Sequence, residues 1–168
     1  MTDMIKTERL VLRPVVDADA TIVIEGFNDF DVVKWLARPP YPFGIEDLKI
    51  RNDDGSSRWP AHAAIEHDGR MIGMVSGVPH LGFWLLRTAW GQGFATEAGL
   101  AMAAYVFADT DEDHLVSGYF EGNEASANVL RKIGFVETGR GTHWCNPRSE
   151  EFPHVDMRLN RTDWEAQA

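Results

Sequence analysis

Residues 81–98 read LGFWLLRTAWGQGFATEA and carry the clearest structural signal in the chain. A short strand rich in aromatic and aliphatic residues, predicted over residues 80–86, leads into a turn that contains Gly91 and Gly93. A buried helix is predicted to follow over about residues 95–107. Glycines let a ligand approach the backbone closely, and the first N–H groups of a helix have no partner within it. The strand, turn and helix together therefore suit an anion such as pyrophosphate.

Three interpretations of this turn are open on its residues alone. A P-loop requires a lysine followed by serine or threonine, and the turn contains no such lysine. A dinucleotide-binding fingerprint requires a third glycine or alanine where this chain has Thr96, so only the first two glycines match. The remaining interpretation is a plain tight turn that begins a helix.

The composition is that of a globular protein, because 168 residues with 44% hydrophobic and 25% charged content can bury a sizeable core. A single cysteine rules out an internal disulfide framework. The 26 acidic residues outnumber the 16 basic ones and give a formal net charge of -10. That charge argues against nucleic acid and anionic membranes as partners, and it weakly favours small cationic or amine partners.

No targeting or membrane-spanning segment is expected. Charged residues interrupt the first 14 residues, which therefore lack the apolar core of a signal peptide. The longest apolar run, residues 98–108, is too short to span a bilayer. We therefore expect a cytoplasmic protein.

The chain as a whole is predicted to mix strands with helices. The predicted helices cover residues 17–27, 29–36, 45–50, 95–107 and 125–133, and the predicted strands cover residues 7–15, 59–66, 71–78, 80–86 and 115–120, with mainly strand and turn after residue 133. The turn at residues 67–70 joins two strands as a hairpin, and three prolines within residues 38–42 form a rigid loop. This order of elements predicts a mixed α/β fold in a single domain over residues 1–168.

Two further segments belong with the strand and turn described first. Asn123-Glu124-Ala125-Ser126 precedes an apolar helix that ends in Ile133-Gly134-Phe135, and residues 7–14 read TERLVLRP. Together with residues 81–98, these segments resemble the acetyl-coenzyme A (acetyl-CoA) signature of the GNAT N-acetyltransferases. More narrowly, they resemble the branch that acetylates the N-termini of ribosomal proteins. The resemblance covers nearly the whole chain in the right order.

The resemblance implies a mixed sheet that is splayed open in its middle and flanked by helices, with acetyl-CoA lying in the gap. It places the pyrophosphate on backbone N–H groups of the turn, namely those of Gln92, Gly93, Ala95 and Thr96. It places the thioester arm along the preceding strand, at Phe83, Trp84 and Leu85. Trp90 stands where the superfamily often has arginine or glutamine, so a phosphate contact from that kind of side chain is lost.

The segment with Asn123 and Ser126 also has a complete structural interpretation. Asn123 can cap the helix, and Gly134 with Phe135 can end it. By resemblance, Asn123 contacts the pantetheine arm, and Ser126 lies near the sulfur, where it could protonate the departing thiolate. A thiol of pKa about 8.5 is already a fair leaving group, so a weak acid is sufficient.

His80 is the candidate general base. It precedes the Leu-Gly-aromatic strand, at a position where this branch often has a glutamate, and a histidine titrates close to the working pH. Glu66 is the reserve candidate, while Glu97 has either a structural role or a place near the substrate. The alternative for His80 is a polar residue that simply begins a strand. A base is also unnecessary if the enzyme binds the neutral fraction of its amine.

The leading hypothesis is an acetyl-CoA-dependent N-acetyltransferase in which a primary amine attacks the thioester directly. The amine acceptor is either a protein N-terminus or a small molecule, and an exposed strand edge could support a homodimer. The alternative is a catalytically silent acyl-CoA-binding or sensor module, which the departures at His80 and Trp90 keep open. A nucleotide-binding protein is the third hypothesis, and the missing lysine and third glycine disfavour it.

The aromatic loop at residues 35–43 is the candidate acceptor wall. In the fold that the resemblance implies, this segment borders the acceptor groove, so Tyr41 and Phe43 are predicted to contact the substrate. Plain packing in the core is the competing interpretation of both side chains.

No metal site is expected from the spacing of the histidines and the cysteine. His143 and Cys145 are two residues apart with no further ligand nearby, and His62 and His67 do not share a strand face. His114 and His154 are isolated in the sequence. Cys145 is expected to be a free, buried or half-buried cysteine.

Overall fold

Two antiparallel sheets with helices packed against them form the framework of the computed structural model, which describes residues 4–167. The strands are β1 (Ile5–Lys6), β2 (Leu10–Pro14), β3 (Ala63–His67), β4 (Arg70–Ser76), β5 (Gly82–Leu85), β6 (His114–Phe120), β7 (Val136–Cys145) and β8 (Glu150–Asn160). The helices are α1 (Ala20–Asn28), α2 (Phe30–Val33), α3 (Phe94–Asp109), α4 (Glu124–Ile133) and α5 (Arg161–Gln167). The predicted mixed α/β fold is confirmed.

The order of strands places β5 at the edge of one sheet and β6 at the edge of the other. The first sheet runs β1-β2-β3-β4-β5 and the second runs β6-β8-β7. A single parallel bridge between His80 and Val116 joins the two edges. The two sheets are therefore in contact at one point and are not paired along the length of β5.

Two apolar cores result from the alternation of side chains along the first sheet. Leu85 belongs to the core beneath α3, whereas its neighbour Trp84 belongs to the core beneath α1 and α2. Adjacent strand residues point to opposite faces, so both faces of this sheet need a cover. Helices on both faces supply that cover and leave the edge of β5 free to border the gap.

The helix α3 packs tightly against α4, and this contact positions two parts of the site. A Cβ on Gly99 would overlap the Ile133 side chain, so glycine permits the close approach of the two helices. The sequence predicted α3 to be apolar nearly all round and buried. In the structure only one face is buried, including Ala98, Met102 and Val106, while Leu100 is 37% exposed.

Several predicted boundaries are wrong, mostly in the first half of the chain. Residues 45–50 form only a single 3-10 turn at Ile45–Asp47, and the helix predicted over residues 29–36 is α2 alone. The strand predicted from Trp59 begins at Ala63, after Pro60, which has no N–H to donate to a sheet. The terminal helix α5 was not predicted. Among residues 4–167, no helix combines the length and the apolar character that crossing a bilayer requires.

Candidate active site

The site begins where β5 and β6 separate. The Leu81 N–H donates to the Val116 carbonyl at 3.0 Å, and the buried Ser117 hydroxyl donates to the Leu81 carbonyl at 2.7 Å. Beyond these two bonds the strands diverge, and β5 continues to the glycine-rich turn while β6 continues to Asn123. The gap between them opens into a cavity of about 460 Å³.

The cavity wall combines residues from both sides of the gap with the loop after α2. From β5 and the turn come Phe83, Trp84, Leu85, Ala89, Trp90, Gly91, Gly93, Phe94, Ala95 and Thr96. From α4 and its cap come Asn123, Ala125, Ser126, Asn128, Val129 and Lys132, and from α2 and its loop come Val32, Trp35 and Leu36. The structure thus brings together most of the predicted cofactor residues, with Gln92 outside the lining.

The glycine-rich turn presents backbone N–H groups without partners. Gly91 and Gly93 have φ values of +71° and +81°, in the left-handed region that glycine adopts without strain. Within residues 4–167, no acceptor takes the N–H groups of residues 91–96, and the first bond of α3 runs from Glu97 N–H to the Gly93 carbonyl at 3.1 Å. These N–H groups and the positive end of the α3 dipole could hold an anion at one end of the cavity.

Arg9 supports this turn through hydrogen bonds of its side chain, a role that the sequence did not predict. Its guanidinium donates to the Gln92 carbonyl at 2.8 Å and to the Glu97 carboxylate at 2.7 Å. Glu97 also accepts from the Thr7 hydroxyl at 2.5 Å and from the Arg9 N–H at 2.9 Å. The carboxylate of Glu97 therefore ties the turn between β1 and β2 to the first turn of α3 and has a structural role. Burial raises the pKa of Glu97, but these hydrogen bonds outweigh burial and lower it overall.

The open edge of β5 supplies a second set of backbone donors. Leu81 N–H points toward β6, and the peptide direction alternates along a strand, so the N–H groups of Phe83 and Leu85 point into the gap. The Trp90 indole donates to the Leu85 carbonyl at 2.9 Å. Trp90 thus fixes the end of β5 against the turn, although it supplies no charge for a phosphate.

The cap of α4 completes the opposite wall. Asn123 caps the helix by accepting from the Ser126 N–H at 3.3 Å, and Gly134 ends the helix with a φ of +115°, both as predicted. The Ser126 hydroxyl makes no hydrogen bond to any residue in the described part of the chain. Lys132 adds a positive charge to the lining, whereas the Arg87 guanidinium donates to the Asp29 carboxylate at 2.6 Å.

The two candidate bases lie outside the cavity lining and in different surroundings. His80 is exposed just before β5, where desolvation and then nearby Arg38, His154 and His143 lower its pKa, while Asp156 opposes them. Glu66 lies on β3 and accepts from Arg13 Nε at 2.6 Å. The imidazole of His80 is therefore neutral at pH 7, and the carboxylate of Glu66 is held in an ion pair.

Tyr41 and Phe43 lie away from the cavity lining. Phe43 is buried against Phe27, with ring centroids 4.9 Å apart, and its backbone N–H and carbonyl both bond to Asn28. Tyr41 is 44% exposed and its ring lies 5.2 Å from that of Phe30. Phe43 is therefore packed in the core, which is the alternative that the sequence analysis gave for its side chain.

The expectation that His154 is isolated is wrong. Its imidazole lies against that of His143 and bonds to Asp156, because β7 and β8 pair side by side. Cys145 is buried as expected, and its thiol donates to the Lys34 and Leu36 carbonyls. Burial raises the pKa of this thiol, which disfavours the thiolate form at neutral pH.

Comparisons with known proteins agree with this geometry. The model of the acetyltransferase (GNAT) domain matches residues 9–136. The uncharacterized N-acetyltransferase YoaA of Bacillus subtilis (strain 168) is 24% identical over 160 residues, which cover 83% of this chain and 86% of the relative.

Two solved structures share the fold over nearly their whole length. Spermidine N-acetyltransferase from Vibrio cholerae, in complex with CoA and spermine, has a TM-score of 0.79 at 16% identity and covers 95% of this chain and 99% of its own. Ribosomal-protein-S5-alanine acetyltransferase from Vibrio fischeri has a TM-score of 0.75 at 20% identity, with coverages of 96% and 98%. At these identities the two matches establish the fold.

Proposed function

This chain belongs to the GNAT family of acetyltransferases, and on that premise we propose that it transfers the acetyl group of acetyl-CoA directly to a primary amine. The observation that carries the proposal is the cavity between β5 and α4, with unpaired backbone donors at its turn and along its edge strand. An anion site at one end and an apolar slot along β5 suit a long cosubstrate that has phosphates at one end and a thioester at the other.

The pyrophosphate lies on the turn in this proposal. The backbone N–H groups of Gln92, Gly93, Ala95 and Thr96 receive its oxygens, and Lys132 offsets part of its charge. The pantetheine arm runs along residues 83–85, where the open strand edge offers N–H groups to its amides, and Asn123 faces it from the cap of α4. Only backbone groups are needed at the turn, so the tryptophan at position 90 is compatible with binding.

The chemistry is a direct acyl transfer. The neutral amine attacks the thioester carbonyl, and the Phe83 or Leu85 N–H stabilises the resulting oxyanion. The C–S bond then breaks, and Ser126 donates a proton to the departing thiolate while the product amide forms. The proton lost by the attacking nitrogen passes to a base or to water, and Ser126 regains a proton from the same source, so charge and atoms balance.

His80 is a better candidate for that base than Glu66. A neutral imidazole can accept a proton at pH 7 directly or through water, and its residue leads straight into the strand that borders the cavity. Glu66 is engaged by Arg13, so proton acceptance would cost it an ion pair. The base is therefore assigned to His80 in this proposal, with Glu66 assigned to the support of β2 and β3.

The acceptor is a cationic amine in this proposal, either a protein N-terminus or a small polyamine. The formal net charge of -10 attracts positively charged partners. The two structural relatives that share the fold are named for a polyamine and for a ribosomal protein, which makes both classes the first to test. A homodimer through an exposed strand edge stays a prediction.

The decisive experiment measures release of free CoA thiol from acetyl-CoA in the presence of spermidine or a peptide with a free N-terminus. Calorimetric titration with acetyl-CoA, CoA and ATP accompanies it. We expect binding of the two CoA compounds alone and amine-dependent thiol release. Binding without release by any amine would favour the silent acyl-CoA-binding module, and absence of binding would contradict the proposal.

A matched pair of glycine variants tests the turn itself. Gly93 and Gly55 both have a φ of +81°, but a Cβ on Gly55 meets nothing within 4 Å. Gly93→Ala is expected to weaken acetyl-CoA binding about tenfold because the turn must shift its N–H groups. Gly55→Ala carries the same backbone strain away from the cavity and should leave binding unchanged.

A further inference from the structure

Three potential metal ligands share one face of the second sheet. His154 and Asp156 are two residues apart on β8, so their side chains point to the same face. His143 lies on the neighbouring strand β7 and is paired with Phe152 of β8. This pairing places His143 diagonally beside His154. The register of two strands thus assembles a His-His-Asp group that residue spacing alone does not show.

The ligand atoms of this group already converge. Asp156 Oδ1 lies 3.0 Å from His154 Nδ1 and 3.3 Å from His143 Nε2. One ligand atom from each of the three residues lies within 4.8 Å of the other two. Bonds of about 2.0–2.1 Å to a tetrahedral ion place neighbouring ligand atoms about 3.3 Å apart. The separations to Asp156 therefore match those of a coordination sphere.

The surroundings hold one ligand firmly and leave the other two accessible. The His154 side chain is 13% exposed, while those of His143 and Asp156 are about half exposed. Phe120 packs edge-on against the His154 ring, with centroids 5.2 Å apart. Gly118 on β6 makes room for that ring, because a Cβ there would overlap it. An ion can thus enter from solvent and keep a water molecule on its open side.

We propose that His143, His154 and Asp156 bind one divalent transition-metal ion of the zinc type. Two imidazoles and a carboxylate suit Zn²⁺, Co²⁺ or Ni²⁺, whereas Mg²⁺ and Ca²⁺ prefer oxygen ligands. None of the three residues lines the cavity, so the ion would lie outside the acetyl-CoA pocket, on the side of the protein near His80. Without a metal, the Asp156 carboxylate bonds to His154 Nδ1 and lies 3.3 Å from His143 Nε2.

The test uses the untagged, chelator-treated chain and titrates it with Co²⁺ and, by calorimetry, with Zn²⁺. We expect one equivalent of Co²⁺ to produce a visible d–d absorption band that Zn²⁺ then abolishes by displacement. His154→Ala and Asp156→Asn are each expected to weaken Zn²⁺ binding at least about tenfold. Asp156→Asn keeps the side-chain shape, so its circular dichroism and Tm confirm that any loss is not unfolding.

His114→Ala is the matched control. His114 also contacts an aspartate, Asp113, but it is not part of the three-ligand group. This variant should bind Zn²⁺ and Co²⁺ as the parent does. Absence of the Co²⁺ band, or Zn²⁺ binding that falls equally in His114→Ala and His154→Ala, would overturn the proposal. Acetyl-CoA binding measured on the same samples keeps this result independent of the proposed acetyl transfer.

Discussion

Ser126 lies in the first turn of α4 and lines the cavity, yet its hydroxyl is free of hydrogen bonds to the described residues. A serine that caps a helix accepts a hydrogen bond with its hydroxyl, but here the side chain of Asn123 caps α4 instead. The serine is thus available to meet a bound cosubstrate, which is the condition for a role in protonating the thiolate.

Replacement of Ser126 by alanine tests this role. We expect kcat to fall about tenfold, a modest loss because a thiolate leaves readily, while the Kd for acetyl-CoA stays unchanged. Steady-state thiol release together with calorimetry separates the two quantities. An unchanged turnover number with intact binding would assign Ser126 to structure alone.

As the proposed base, His80 is expected to give the reaction a specific pH dependence. Desolvation and the nearby Arg38 lower its pKa below the ordinary 6.5, so the base form is populated before neutral pH is reached. The rate should rise with pH through that lowered pKa and level off near neutrality. His80→Ala should remove this acid limb and reduce kcat about 100-fold.

The control for that experiment is His62→Ala. His62 is another partly buried histidine, with a pKa lowered to about 4 chiefly by desolvation, and it does not line the cavity. This variant should keep the parent pH–rate profile. A profile that is also unchanged in His80→Ala would remove His80 from the mechanism.

At the scale of elements, the turn between β1 and β2 is joined to α3 through Arg9 and Glu97. Glu97→Gln keeps the shape of the side chain but removes the charge that orients the guanidinium under the Gln92 carbonyl. We expect the Kd for acetyl-CoA to rise about threefold to tenfold, the equivalent of one hydrogen bond, with little change in kcat. Calorimetric titration measures this change.

An exposed ion pair far from the turn provides the comparison for Glu97. Arg140 pairs with Glu137 on β7 at 2.5 Å, and neither residue lines the cavity. Glu137→Gln should leave the affinity for acetyl-CoA as it is. Equal losses in both variants would show that the turn does not depend on the contact from Arg9.

A second link between elements joins β2, β3 and the turn before α1. Arg13 donates to Glu66 and, at 2.8 and 3.0 Å, to the buried Asp19. Burial raises the pKa of Asp19, but the bonds from Arg13 and the Val16 N–H outweigh burial, so the pKa is lowered overall from 3.8. The carboxylate therefore stabilises the fold above pH 3.8, and this contribution disappears as the pH falls through the lowered pKa.

Asp19→Asn should lower the Tm by about 5 °C at pH 7. The Arg13 guanidinium loses its charged partner, while the side chains at positions 13 and 19 stay mostly shielded from solvent. The difference from the parent should shrink as the pH is lowered below 4. Asp31→Asn, which removes exposed ion pairs with Lys34 and Arg87, should have little effect. Thermal melts across the pH range check both expectations, and a pH-independent difference would contradict this role of Asp19.

Across the whole molecule, the site is a product of the two sheets meeting at a single point. Ladder pairing along the entire edge of β5 would use the N–H groups of Phe83 and Leu85 and would close the cavity. The bonds at Leu81 instead hold the two sheets together and leave the remainder of the edge open. An open strand edge is usually a hazard for aggregation, and here it borders a deep cavity that a partner strand cannot reach easily.

The sequence by itself determined the local features of this protein. The glycine-rich turn, the cap of Asn123 and the hairpin at residues 67–70 each depend on conformations or hydrogen bonds among near neighbours. A resemblance carried by these ordered motifs was then enough to identify the family, which the match over residues 9–136 confirms.

Only the tertiary structure decided which distant side chains meet. Arg9 reaches Gln92 across 83 positions, Arg13 engages Glu66, and His143 joins His154 through the register of two strands. Such contacts depend on strand order and register, which a one-residue slip would change completely. The spacing of residues along the chain does not specify that register. The contact of Arg9 with the glycine-rich turn and the group of three potential metal ligands could therefore be recognised only in the folded structure.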